Sequence, residues 1–201
     1  DPNRPDIGPV RIEVVRPLEE VRLILDEPEC PFAFDLIFEA RFPAVPTGRN
    51  RIENRGNTVT DYMNFFQSGR YSGTVVADGE ERRYRGRLGF RDRGWGLRKH
   101  EGAARRGMHI FCGCELPEES LYFLLYENAR GERMFTNGWL MNREGLVDTA
   151  TAVDHDVAFD GLLARGGHFL VRLSSGASRE VHFEVEGRMW METVGYTTVP
   201  G

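Results

Sequence analysis

An apolar residue at every second position over residues 32–42 constrains the fold of this chain more than any other feature. If the segment is extended, six apolar side chains share one face: Phe32, Phe34, Leu36, Phe38, Ala40 and Phe42. Asp35, Glu39 and Arg41 fall on the other face. A period of two residues is typical of a strand with one buried face, and we find no stretch that sustains the 3.6-residue period of a helix. We therefore predict an all-β fold.

Turn signals between apolar segments predict a series of antiparallel hairpins. The dipeptide Asp78-Gly79 separates predicted strands at residues 71–76 and 83–90, and such a two-residue loop is a strong hairpin signal. Further strands are predicted at residues 11–15, 21–26, 108–114, 121–126, 134–141, 147–159, 168–173, 180–186 and 188–194. Residues 43–57, with two Pro and two Gly, are predicted to form a long loop, and residues 117–121 allow one helical turn. About ten antiparallel strands favour a β-barrel or a strongly curved meander sheet, because closure protects sheet edges.

Length and charge restrict the domain organisation and the function classes. Within 201 residues we expect one β domain at residues 11–195, between tails at residues 1–10 and 196–201. The longest apolar run, residues 121–126, is far shorter than the roughly 20 residues of a membrane-spanning helix, so we expect no membrane span. The net charge of −5 argues against a nucleic-acid binder. Residues 82–106 nevertheless carry ten basic and two acidic residues, which allows an interaction module for an acidic partner.

The three cysteines, Cys30, Cys112 and Cys114, are too few for a disulfide scaffold, so we expect a reducing, cytoplasmic compartment. On a strand, Cys112 and Cys114 share one face and His109 lies on the other, which favours structural thiols over a metal site. Phosphate-binding glycine-rich loops and His-Glu-x-x-His motifs are absent from the sequence, and we expect neither a metal nor a cofactor. The sequence leaves open whether the chain forms a homo-oligomer.

The most unusual segment of the chain lies at residues 86–98. Trp95 stands between Gly94 and Gly96, and we predict that the two glycines fix its indole against an internal cavity. Asp92 and Arg98 are predicted to lie within reach of the same space. The alternative is a strand end and a turn, with Asp92 in a salt bridge.

Arginines surround this segment. Strand alternation allows Arg91 and Arg93 to point away from Asp92. The same alternation puts Arg83, Arg85 and Arg87 on one side, and we predict that this side is a solvated sheet face.

Residues 91–98, Arg-Asp-Arg-Gly-Trp-Gly-Leu-Arg, resemble the Arg-Asp-His-Ser-Trp-Gly-x-Arg element of lipocalin-like proteins related to carotenoid hydratases, the hydroxyneurosporene synthase group. Residues 67–79 resemble the stretch that precedes this element, and residues 153–161 fit the hydrophobic-acidic pattern that follows it. The chain departs from the family at Arg93 and Gly94, where His and Ser are frequent. The resemblance implies an antiparallel lipocalin-like (calycin) barrel, and characterised relatives act on isoprenoid or other apolar substrates by water addition or cyclisation.

This resemblance leads to two functional hypotheses. In the first, the chain binds an apolar or amphipathic small molecule, for which an isoprenoid is one candidate, and the expected ligand-binding residues are Gln67, Trp95, Arg98, Trp139 and His155. For Trp139 and His155, the alternative that the residue pattern favours is a role in core packing. In the second, the chain is a hydratase or cyclase of an isoprenoid or polyene with Asp92 as the catalytic general acid, because proton delivery to carbon requires a carboxyl that an apolar site keeps protonated. Asp35 is a second candidate acid, unless it is an exposed strand residue.

Overall fold

The computed structural model describes residues 6–54, 57–98, 107–161 and 163–187, and these ranges contain strands and turns but no helix. The prediction of an all-β fold is therefore confirmed. The strands are β1 (Asp6–Ile7), β2 (Val10–Arg16), β3 (Glu20–Leu25), β4 (Phe32–Ala40), β5 (Val45–Asn54), β6 (Asn57–Ala77), β7 (Glu80–Arg98), β8 (Gly107–Glu115), β9 (Ser120–Asn128), β10 (Arg133–Asn142), β11 (Gly145–Asp160), β12 (Leu163–Leu173) and β13 (Ser178–Glu184). All the pairings between them are antiparallel, and they form two curled sheets. Within the same ranges, no helix has the length and apolar character needed to cross a membrane.

The first sheet is organised around β6, a strand of 21 residues. Along one edge, β4 pairs with the C-terminal half of β6 and β5 pairs with its N-terminal half, while β7 pairs along the other edge. The strand order is β1-β2-β3-β4-β6-β5, with β7 off this path. The predicted Asp-Gly turn joins β6 to β7, and Asp78 and Gly79 have φ angles of 52° and 80°. Positive φ at both central residues is what a type I′ hairpin turn requires.

The predicted long loop at residues 43–57 is wrong, because most of it forms β5. The prediction failed because Pro46 and Gly48 are unfavourable in an interior strand. β5 is an edge strand, which pairs on one side only, so a residue without an N–H is tolerated there. The register of β5 against β6 shifts between Pro46 and Arg49, which accommodates the irregular backbone. Arg49 also pairs with Asp61 across the two strands at 2.5 Å, which helps to hold the register.

The strand β7 extends well beyond the predicted residues 83–90 and contains a bulge. Its register against β6 shifts between Tyr84 and Arg87, where Gly86 takes a φ of 59° and donates its N–H to Ser72 Oγ. The extra residue reverses the alternation, so Arg83 and Arg87 lie on opposite faces and not on one face as predicted. Both are exposed, so the prediction that they are solvated is confirmed.

The second sheet is a simple meander in the order β13-β12-β11-β10-β9-β8. The helical turn predicted at residues 117–121 is absent from the described chain: a bend joins β8 to β9, and the Leu116 N–H donates to the Glu119 carbonyl. The predicted N-terminal tail, residues 1–10, includes β1 and the first residue of β2. The strand predicted at residues 188–194 and the tail at residues 196–201 lie outside the described residues.

Buried side chains form two clusters, one within the second sheet and one between the sheets, and β9 contributes to both. On one face of β9, Leu121, Phe123 and Leu125 pack inside the curl of the second sheet. On its other face, Tyr122 and Leu124 pack against the first sheet. The second cluster comprises Phe42, Val45, Phe66, Tyr122, Leu124, Trp139 and Met141. Burial on both faces explains the uninterrupted apolar run of β9.

Candidate functional site

One face of the first sheet is apolar across neighbouring strands, and we call it the inner face. Register places Leu36 of β4 opposite Leu23 of β3 and Gly73 of β6, and places Phe38 opposite Val21 and Tyr71. Phe32, at the start of β4, is exposed on this face, and the buried and half-buried apolar side chains that share it are Val10, Ile12, Val14, Val21, Leu23, Leu25, Phe34, Leu36, Phe38, Tyr71 and Val75. Val21, Leu25 and Phe38 are buried, whereas the others are half-buried. The inner face is therefore a partly covered apolar surface.

The opposite side of β2, β3 and β4, which we call the outer face, carries charged pairs. Arg22 donates to Asp35 at 2.8 Å through Nε and lies 3.8 Å from Glu13. The hydrogen bond from Arg22 lowers the pKa of Asp35. Asp35 is exposed, so the alternative of an exposed strand residue describes it better than a catalytic acid does.

Two glycines allow aromatic rings to lie flat on the inner face. A Cβ atom on Gly69 would lie 2.2 Å from the ring of Phe38, and one on Gly89 would lie 3.0 Å from the ring of Tyr71. The rings of Phe38 and Tyr71 meet edge to face, with centroids 5.1 Å apart. Gly69 and Gly89 are paired across β6 and β7, and larger residues there would push the two rings away from the sheet. We call the surface formed by Phe38 and Tyr71 over these glycines the aromatic floor.

Two polar side chains adjoin this aromatic floor. Gln67 of β6 is 1% exposed, and its Nε2 donates to the carbonyls of Leu18 at 2.7 Å and Phe42 at 3.1 Å. Its Oε1 is buried and has no hydrogen-bond partner among the described residues. Arg91 lies directly opposite Gln67 in the β6–β7 register.

The guanidinium of Arg91 contacts the faces of two aromatic rings. Its Cζ lies 5.1 Å from the ring centroid of Phe65 and 5.6 Å from that of Phe38. Its Nε is buried without a hydrogen-bond partner in the described part of the chain. Burial lowers the pKa of Arg91, and the positive charge of Arg93 lowers it further. A cation and an amide oxygen, both incompletely satisfied, therefore stand at one end of an apolar surface.

The junction between the two sheets holds a second polar group, which makes structural contacts through one of its carboxylate oxygens. Glu115 Oε2, at the end of β8, accepts from Arg41 at 2.8 Å, Ser120 at 2.7 Å and Ser68 at 2.5 Å. The side chains of Arg41 and Glu115 are only 8% and 12% exposed. This ion pair connects the first sheet to the second beside the aromatic cluster of Phe66 and its neighbours.

The prediction that Asp92 and Trp95 share one cavity is wrong. Trp95 is 52% exposed and lies opposite Met63, on the face that carries Arg91. Asp92 is exposed, lies opposite Phe66 on the other face, and accepts from Asn64 Nδ2 at 3.2 Å. Residues three apart on a strand point to opposite sides, and this alternation separates the two. It also confirms that Arg91 lies on the face opposite Asp92.

The remaining predicted site residues are distributed over the molecule. Trp139 is 3% exposed and packs between the sheets, 5.3 Å from the ring of Phe66. His155 belongs to the second sheet, where its Nε2 lies 3.1 Å from Glu127 Oε1. Of the predicted site residues whose side chains the structure describes, only Gln67 is buried at the inner face. The side chain of Arg98 lies outside the described residues.

Two cysteines of β8 come together as the alternation predicts. Cys112 Sγ and Cys114 Sγ are 3.7 Å apart and pack against the core of the second sheet. Hydrogen bonding to Cys114 and burial raise the pKa of Cys112. Among the described residues, no three or more His, Cys, Asp and Glu side chains are grouped to hold a metal ion. The packing of Cys112 and Cys114 against the core supports a structural role for these two thiols.

A groove of about 860 Å³ lies on the second sheet, but its lining differs from that of a ligand site. Its walls include Asp156, Arg165, His182 and Glu184, all of which are exposed, together with two adjacent glycines of β12. Arg165 is already paired with Asp160. Sites for small organic ligands are usually enclosed and mainly apolar, so the inner face of the first sheet is the better candidate.

A model of a protein family of unknown function, DUF8625, matches residues 1–199. The chain belongs to this family. No curated protein and no solved structure matches it.

Arg91 is the site residue that sequence reasoning misses. The sequence presents it only as a neighbour of Asp92, because alternation alone does not say which face of a two-sided strand forms a binding surface. The available signal is the hairpin register: counting outward from Asp78-Gly79 brings Arg91 close to Gln67, but the bulge at Gly86 adds one residue to the count.

Proposed function

We propose that the chain binds an apolar or amphipathic small molecule along the inner face of its first sheet. The observation that carries the proposal is the continuous apolar surface from β2 to β6, most of whose side chains are only half-buried. A contiguous apolar surface of this kind usually marks a binding site, because covering it removes apolar area from water. The curl of the sheet and its aromatic floor give such a ligand a shaped surface.

The sequence resemblance to lipocalin-like proteins related to carotenoid hydratases supports the same proposal and suggests an isoprenoid as one ligand class. The catalytic activity that the resemblance also implies has less support from the geometry. Asp92, the proposed general acid, is exposed on the face away from Trp95 and hydrogen-bonded by Asn64. An acid that delivers a proton to carbon needs apolar enclosure, and the surroundings of Asp92 favour the binding hypothesis over the hydratase hypothesis.

A matched pair of variants tests the proposed site. Leu36 and Ile37 are neighbours in β4, both half-buried, and point to the inner and outer faces respectively. Leu36→Asn should weaken binding of the neutral apolar dye Nile red at least tenfold, because it puts an amide on the inner face. Ile37→Asn should leave the dye affinity close to that of the wild type.

Fluorescence titration measures the dye affinity, and melting temperatures show whether the two variants lose similar stability. The proposal is refuted if the wild-type protein does not enhance Nile red fluorescence in a saturable way. It is also refuted if the two variants weaken dye binding equally.

A further inference from the structure

Arg91 differs from the other half-buried arginines of the described chain because it has no carboxylate partner there. The others are paired: Arg22 with Asp35, Arg41 with Glu115, and Arg179 with Glu119. Contact with the faces of Phe38 and Phe65 provides some stabilisation of the Arg91 charge. These rings offer no hydrogen-bond acceptor in the ring plane, and Nε is buried without one among the described residues, which is costly for a polar group.

The neighbouring Gln67 has an acceptor that is free of hydrogen bonds within the described ranges. Because Nε2 donates to two backbone carbonyls, the orientation of the amide is fixed and Oε1 cannot exchange places with the nitrogen. Buried side-chain oxygens normally accept at least one hydrogen bond. The pair thus offers donors from a guanidinium and one acceptor from an amide, side by side on adjacent strands.

We infer that Arg91 and Gln67 form the head-group site for an anionic amphiphile, a molecule with an apolar chain and a terminal carboxylate. The inference rests on the proposed function, since the chain of that molecule would lie on the inner face beside Phe38 and Leu36. The guanidinium of Arg91 donates to the carboxylate, which supplies the missing negative charge. Gln67 Oε1 accepts from a hydroxyl group or a bound water next to the carboxylate.

Head-group preference can be measured separately from binding itself. Nile red, which is uncharged, reports occupation of the inner face, and decanoate and decanol are compared as competitors at pH 8. In the wild type, decanoate should displace the dye at a concentration at least tenfold lower than decanol. The preference should disappear in Arg91→Met, which keeps the length of the apolar stem and removes the charge. The readout is the ratio of the decanol and decanoate concentrations that displace half of the dye from a given variant. Changes in dye affinity affect both concentrations equally and therefore cancel in this ratio.

Arg93→Met is the matched control, because Arg93 lies on the same face two residues along β7 and is exposed. It should retain the preference for decanoate. Arg91→Lys should retain part of the preference, because it keeps the charge but not the planar donors; this variant also serves if Arg91→Met does not fold.

The possible results distinguish failure of the head-group inference from failure of the proposed function. Dye binding without head-group preference in the wild type overturns this inference, while the proposed function stands. A preference that survives in Arg91→Met overturns it as well. Absence of saturable dye binding refutes the proposed function itself.

Discussion

Removal of the Glu115 carboxylate should destabilise the protein strongly, since this group joins the two sheets. Three donors converge on its Oε2, and both members of the ion pair with Arg41 are about nine-tenths buried. Breaking a buried ion pair by removing one partner costs about 3–5 kcal/mol. We expect Glu115→Ala to lower the free energy of unfolding by that amount, which corresponds to about 2–4 °C in melting temperature per kcal/mol for a chain of this size.

Glu115→Gln separates charge from hydrogen bonding. The amide oxygen can occupy the position of Oε2 and accept the same three hydrogen bonds, because Oε1 has no partner among the described residues and the amide nitrogen can take its place. Charge-assisted hydrogen bonds are roughly twice as strong as neutral ones, so we expect a loss of about 1–3 kcal/mol, smaller than for alanine.

Urea unfolding followed by tryptophan fluorescence measures these changes. The matched control is Glu119→Ala, whose ion pair with Arg179 is 3.2 Å long and 30–39% exposed, and which should cost about 0–1 kcal/mol. If Glu115→Ala also costs less than about 1 kcal/mol, the ion pair is not buried in solution and our account of the sheet junction is wrong.

Three further outcomes follow from packing and from charge. Gly69→Ala should destabilise by about 1–3 kcal/mol or more, because the added Cβ would meet the ring of Phe38 at 2.2 Å; a melting curve equal to that of the wild type would contradict this packing. Trp139→Ala should cost about 3–5 kcal/mol, whereas Trp95→Ala, at an exposed position, should cost less than about 1 kcal/mol; equal losses in urea unfolding would contradict their assigned burial. Hydrogen bonds from Ser174 and its neighbours hold the pKa of Asp148 below its usual range. The stability that this carboxylate contributes is therefore present above the unfolded pKa of about 4 and is lost as the pH falls below it, so Asp148→Asn should flatten the decrease in melting temperature between about pH 5 and pH 3.

The sequence correctly predicts those strands and turns that depend on neighbouring residues alone. Alternation over residues 32–42 predicts β4, with Phe38 buried and Asp35 exposed, and the Asp78-Gly79 dipeptide predicts its hairpin. The prediction fails at β5, because proline and glycine disfavour an interior strand but are tolerated in an edge strand, and edge position depends on distant pairing.

The candidate site is predicted less well for a related reason. When a strand carries candidate site residues on both faces, its sequence does not indicate which face is buried. Burial of a face depends on how the two sheets pack. Trp95 is predicted to be buried and is exposed, while Trp139 is buried between the sheets and away from the inner face. Arg91 stands out only by comparison with the other half-buried arginines, because the carboxylates that pair with them lie in distant parts of the chain.

The sharing of β9 between two cores limits how this chain can be divided or recombined. A fragment that contains only β8 to β13 would expose Tyr122, Leu124, Trp139 and Met141, and the complementary fragment would expose Phe42 and Phe66. Neither half could therefore be transplanted as a stable module without new polar residues at those positions. Within the ranges that the structure describes, no backbone strand pairing joins the two sheets, yet they share a core and should unfold together as one unit.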